Sequence, residues 1–270
     1  VYKKLGKYES AGEVIAKFDN SSERAGDLSA QGAYDAAKAG QGSVALSGNT
    51  AAISVGSANL SLDSAKTSAV NAINSAYVTL DDAIRVKSDG AFRNPQTRDP
   101  QFIVNTSDSK LSIVIPQERG SIELLLKGRE TANRTITSDS DLIAELNKVE
   151  TEAQTAKNFL DDLSLAYSRA IPDTSVSQAV IEGLKAQNGL ARAAVSATLA
   201  SAGGARSALN AAIAGSQVAA NNLTQTNQGS AASADANVKA ALGALNAAQS
   251  GLGKTIIRSP ISGTVNSRAV

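Results

Sequence analysis

Residues 195–256 read VSATLASAGGARSALNAAIAGSQVAANNLTQTNQGSAASADANVKAALGALNAAQSGLGKTI, and the period of this stretch decides the fold. Apolar or small residues recur in alternating steps of four and three: Val195, Leu199, Ala202, Arg206, Leu209, Ile213, Ser216, Ala220 and Leu223. After Asn227-Gln228-Gly229-Ser230 the pattern resumes at Val238, Leu242, Leu245, Gln249, Leu252 and Ile256. Such spacing puts one face of a helix against a partner helix. Two segments of this kind joined by a short polar run predict an antiparallel helical hairpin. Its coiled-coil seam would hold Leu209, Ile213, Leu223, Val238, Leu242, Leu245 and Leu252, and its tip Asn227, Gln228, Gly229 and Ser230. Arg206, Ser216 and Gln249 interrupt the seam; they either fix its register or face a neighbouring protomer.

Upstream, Gly40-Gln41-Gly42-Ser43 resembles that polar run and is likewise followed by Ala-rich sequence. It predicts a second tip, at Gln41, Gly42 and Ser43, between a short helix over 22–38 and a long one over 50–87. Asn94-Pro95 and Asp99-Pro100 then force extended chain. A helical piece over 109–129 carries Leu111, Ile115, Ile122, Leu125 and Leu126. The cleanest helix follows, with Leu142, Leu146, Val149, Ala153, Ala156, Leu160, Leu163, Tyr167 and Ala170 on one face. Ser138 with Asp141 is expected to cap its start, Pro172 to end it, and Ser175 with Gln178 to open the next helix. The helices after Thr50, around Ile122, after Ser138 and after Ser175 are expected to form a four-helix bundle.

Composition limits the chemistry. The 270 residues are 42% hydrophobic but only 3% aromatic, so alanine supplies much of the apolar content and suits closely packed helices better than a thick core. There is no histidine and no cysteine, which excludes a Ser-His-Asp triad, a thiolate nucleophile and the common zinc sites. A net charge of +1 gives no electrostatic case for nucleic acid. No cofactor is expected. Gly251-Leu252-Gly253-Lys254-Thr255 imitates part of a phosphate loop, yet it would end a helix rather than begin one. Asp81-Asp82 and Asp161-Asp162 point about 100° apart on a helix, so each pair reads as solvated surface. Lys3, Lys4 and Lys7 read the same way.

The two ends differ from everything between them. The first twenty residues, VYKKLGKYESAGEVIAKFDN, and the last, TIIRSPISGTVNSRAV from Thr255, read as strands and turns. Gly6, Gly12 and Gly263 suit turns with positive φ, Pro260 suits a strand start, and Asp19 leads into an N-cap cluster. The segment from Ile256 through Arg258, Pro260 and Gly263 to Val265 resembles the strand motif that follows the hairpin in HlyD-type membrane fusion proteins, the periplasmic adaptors. The segment from Leu5 to Asp19 resembles that family's matching first half.

The resemblance implies a mostly α chain. Residues 1–20 and 255–270 would form a split lipoyl-like β-domain, 21–92 and 174–254 helical hairpins, and 93–173 an inserted helical bundle. It further implies a non-enzymatic adaptor outside the cytoplasmic membrane, anchored by a segment not in this chain. The adaptor would assemble as a homo-oligomeric ring on an inner-membrane exporter, such as an ABC transporter of the MacB type. The expected tip lacks the Arg and Leu with which such adaptors dock TolC-type outer-membrane channels. The alternative is an envelope sensor or structural stalk whose four-helix bundle binds a ligand.

Overall fold

The computed structural model describes Lys4 and residues 6–267. The chain is mostly α. Among the described residues the long elements are α1 (Ser21–Asp81), α2 (Ser109–Asn133), α3 (Leu142–Ser168), α4 (Gln178–Gln225) and α5 (Ala231–Lys254). The strands are short: β1 (Tyr8–Glu9), β2 (Val14–Lys17), β3 (Phe92–Arg93), β4 (Gln101–Phe102), β5 (Ile256–Arg258) and β6 (Gly263–Thr264). None of the described helices is long and apolar enough to cross a membrane. The residues form two compact units, Val1–Val55 with Val218–Val270, and Gly56–Gln217.

In the first unit, α1 does not stop at Gly40-Gln41-Gly42-Ser43, so the expected tip there is corrected. Its half-buried positions include Asp27, Ala30, Tyr34, Ala37, Val44, Gly48, Ala51 and Val55, with the exposed Gln41 at the missing step of the same phase. This seam holds the glycines helical although each costs about 1 kcal/mol of intrinsic propensity. The seam packs against the returning chain. Asn20 Nδ2 donates to Thr255 Oγ1 at 3.1 Å, Gln41 Nε2 donates to Asp235 Oδ1 at 2.6 Å, and a Cβ at Gly48 would stand 3.0 Å from Asn227 Oδ1. Residue numbers rise along one arm as they fall along the other, so the arms are antiparallel.

The expected hairpin between α4 and α5 is also corrected. A π-helical turn over Thr226–Ser230 links them, and Gln225, Ser230 and Ala231 all keep right-handed helical φ and ψ. The chain therefore continues in helical conformation where a tip was expected. The reason lies in the phase of the seam. Inward positions are Ala219, Leu223 and, as the turn opens, Thr226, then Ala231, Ala234, Val238, Ala241, Leu245, Ala248 and Leu252 after it. Thr226 to Ala231 is a step of five where the seam takes three or four, and a π turn accommodates one extra residue per turn. Leu223, Val238, Leu245 and Leu252 thus face inward as expected. Leu242 is 40% exposed and Gln249 is exposed, because Ala241 and Ala248 occupy the seam beside them.

The chain ends pair with one another. β1 runs antiparallel to β6 with Tyr8 opposite Thr264, and β2 antiparallel to β5 with Lys17 opposite Ile256. These are two separate two-stranded pairings. Gly6 and Gly12 have φ of +81° and +83°, a region that only glycine enters at little cost. Gly263 corrects its expected role: it lies inside β6 without positive φ, and an added Cβ would meet nothing within 4 Å. Arg258 Nη1 donates to the Gly12 carbonyl at 2.9 Å, bracing that turn. Pro260 is exposed just beyond β5, where no ladder donor is needed. Asp19 Oδ1 accepts from the Ser21 amide at 3.2 Å, and this bond holds its carboxyl below the usual range. Tyr2, Lys3 and Leu5 lie outside the described residues; Lys4 and Lys7 are exposed.

In the second unit the end of α1 packs with α2, α3 and α4. One core cluster joins Leu80 and Ile84 to Ile115, Ile122 and Leu126 of α2, Phe159, Leu160 and Leu163 of α3, and Ile181, Ala191 and Val195 of α4. A second joins Ala69, Ile73 and Ala76 to Leu142, Leu146, Val149, Ala202 and Leu209, with Ile213 partly buried against it. The aromatic residues gather here: Phe92 stacks with Phe102 and Phe159, and Phe102 with Tyr167, at centroid distances of 5.5–6.4 Å. Tyr8 and Phe18, at the β ends, are 68% and 64% exposed. The β3–β4 hairpin carries Pro95 and Pro100 between its strands. Asp141 itself, not Ser138, caps α3 by accepting from the Ala144 amide at 3.0 Å. At the start of α4 the Ser177 hydroxyl accepts from the Val180 amide at 3.5 Å, in place of the expected Ser175.

Candidate functional site

The seven residues expected at hairpin tips lie instead along the first unit's seam, and they play different parts. Gln41 bonds Asp235, and Asn227 stands against Gly48. Ser43 Oγ donates to the Ala39 carbonyl of its own helix at 3.2 Å, Gly42 has open space around it, and Gln228 is exposed. Gly229 and Ser230 line an open groove of about 690 Å³ between α1 and the returning arm. Gly40, Val44, Ser233 and Ala234 line it too. Small side chains on both arms, beside a turn of wider winding, leave this space unfilled. Because Thr224–Ala231 is not a chain reversal, its lack of Arg and Leu bears on no docking tip.

In the second unit the polar chemistry centres on a chain of buried and half-buried charges. Arg119 is fully buried; its Nε and Nη2 donate to the Asp89 carboxylate at 2.7 and 3.1 Å, and its Nη1 to Glu123 at 3.1 Å. Arg85 donates to both oxygens of Glu123, at 2.8 and 3.3 Å, and to Asp81 at 2.7 Å. Burial pushes the Glu123 carboxyl up, but hydrogen bonds from Arg85 and Arg119 and their charges together hold it below the usual range. The bond to Glu123 raises the Arg85 guanidinium above its ordinary value. The chain Asp81–Arg85–Glu123–Arg119–Asp89 ties the end of α1 and the 3-10 turn Asp89–Ala91 to α2.

A second cluster fastens α2 to α3. Arg129 donates to Glu152 at 2.8 and 2.7 Å and to Glu145 at 2.8 Å. Arg206, expected in a helix–helix seam, donates to Glu150 of α3 at 2.9 Å, and Ser216 donates to Asn59 at 2.8 Å. The adjacent carboxylates are not simple solvated surface. Asp81 and Asp82 pair with Arg85 and Lys87, and Asp161 pairs with Lys157 and Arg192. Sequence reasoning missed Arg85, Asp89, Arg119, Glu123 and Arg129; the acidic excess over 138–182, nine Asp or Glu against three Lys or Arg, signalled only the partners Glu145 and Glu152. Thr255, from the phosphate-loop imitation, closes the C-terminus of α5 by donating to Leu252 O at 2.7 Å. Among the described residues no group of three His, Cys, Asp or Glu side chains is placed to hold a metal ion.

No family model, no curated protein and no solved structure matches this chain. Fold and surfaces together define a mostly helical chain with an alanine-rich antiparallel seam, a charge-locked helical unit and paired β ends.

Proposed function

We propose that the chain is a non-enzymatic adaptor subunit of an export system, with the two ends forming a split lipoyl-like element around a long helical excursion. The supporting observation is the pairing of β1 with β6 and of β2 with β5, which brings segments about 250 residues apart into register. The positive φ at Gly6 and Gly12 and the Arg258 bond to the Gly12 turn fit the same reading. In it, copies of the chain assemble as a ring outside the cytoplasmic membrane on an inner-membrane exporter of the ABC type. An outer-membrane channel is no part of the proposal.

The test is crosslinking in the envelope of the producing cell, followed by capture of the chain and mass measurement of what comes with it. An integral-membrane exporter and several copies of the chain are expected. A chain that stays monomeric and captures no transporter contradicts the proposal. A monomer whose thermal transition shifts with one small ligand supports the sensor reading instead.

A further inference from the structure

Glu118, on α2, belongs to neither charge cluster. Its Oε2 is sealed from solvent and accepts no hydrogen bond, which is a costly state for an ionised carboxylate. A narrow cleft of about 240 Å³ between α2 and α3 runs beside it, lined among others by Ser121, Thr155 and Asn158. Asp162 of α3, one turn beyond Asn158, is near enough to exchange a hydrogen bond once either carboxyl carries a proton. The neighbouring cations are occupied: Arg119 by Asp89 and Glu123, and Lys157 and Arg192 by Asp161. With its Oε2 sealed and the charge of Asp162 nearby, the Glu118 carboxylate cannot ionise cheaply.

We propose that Glu118 and Asp162 share one proton across the α2–α3 contact, so that the packing of the second unit loosens as pH rises through neutrality. Burial, then the charge and hydrogen bond of Asp162, push the Glu118 carboxyl up to about 7 from an ordinary 4.5. The folded state then binds more protons than the unfolded state between those two values. Stability therefore falls as pH rises from about 4.5 to about 7 and is level above that. The sequence isolates the effect: it has no histidine and no cysteine, so no other side chain has its ordinary titration between about pH 5.5 and 8.

The experiment is thermal unfolding of the full chain at intervals from about pH 5.5 to 8.5, for wild type, Glu118→Gln and Asp162→Asn. The wild-type midpoint is expected to fall by roughly 3–8 °C up to about pH 7.5 and then level off. Glu118→Gln is expected to be flat over the same range, and Asp162→Asn to have a shallower slope than wild type. A flat wild-type profile, or a Glu118→Gln profile with the wild-type slope, overturns the proposal. A carbon-13 carboxyl titration of wild type and Asp162→Asn separates burial from the shared proton. One glutamate with a midpoint near 7 that moves down in Asp162→Asn supports the shared proton; all glutamates titrating below about 5, or a midpoint unmoved by Asp162→Asn, overturn it.

Discussion

Gln41 Nε2 donates a 2.6 Å hydrogen bond to Asp235 Oδ1, joining the middle of α1 to the start of α5. The bond lies where a chain reversal was expected at Gln41, and it exists because α1 runs straight through its paired glycines. The partners are exposed, so the bond is worth about 1 kcal/mol. Gln41→Ala and Asp235→Ala are each expected to cost about that much. A double-mutant cycle by denaturant unfolding should give a coupling of the same order; additive single effects would remove the contact from the account.

Deleting Gly229 restores a three-and-four step through the turn, since Thr226 and Ala231 then stand four apart. The variant is expected to keep its helical circular dichroism, to melt no lower than wild type, and to slow amide exchange over 222–234. A loss of more than about 1 kcal/mol would show that the π turn does something other than absorb one residue.

Leu245 is 6% exposed and Leu242 is 40% exposed, although both fit a leucine seam on paper. Leu245→Asp places a charge in the seam and is expected to cost about 3 kcal/mol or more, whereas Leu242→Asp should cost below about 1. Equal costs would mean that the seam phase after the turn is wrong.

Arg119 is fully buried between Asp89 and Glu123. Arg119→Ala leaves both carboxylates without that partner and is expected to cost about 3–5 kcal/mol. Glu123, held below the ordinary 4.5, adds stability that is present above that pH and lost as pH falls through its folded value. This dependence is opposite in sign to that of Glu118, and it lies on the acid side.

Where one helix face carries its whole signal, the sequence could be read residue by residue. From Leu142 to Tyr167 each expected inward position of α3 is buried. The strand character of the two ends was equally legible, through β-branched residues and turn glycines. Helix continuity through Gly40 and Gly42 was not, because local propensity opposes it and only the distant arm's alanine seam overrides it. Leu242 misled for a related reason: between Val238 and Leu245 a seam can take either Ala241 or Leu242, and only the partner helix decides that it takes Ala241. Glu118 and Asp162 are 44 positions apart, and neither has a local pattern that announces the other.

The arm after Thr226 continues in helical conformation and packs on α1. The chain has no cysteine, so an engineered pair reports without background. Gly48→Cys with Asn227→Cys is expected to form an intramolecular disulfide under mild oxidation, because the Gly48 Cβ position lies 3.0 Å from the Asn227 side chain. Leu223→Cys with Ala234→Cys, roughly 16 Å apart along a continuous helix, is expected to stay reduced. A disulfide in the second pair and none in the first would mean that the chain reverses at residues 227–230, and the account would be contradicted.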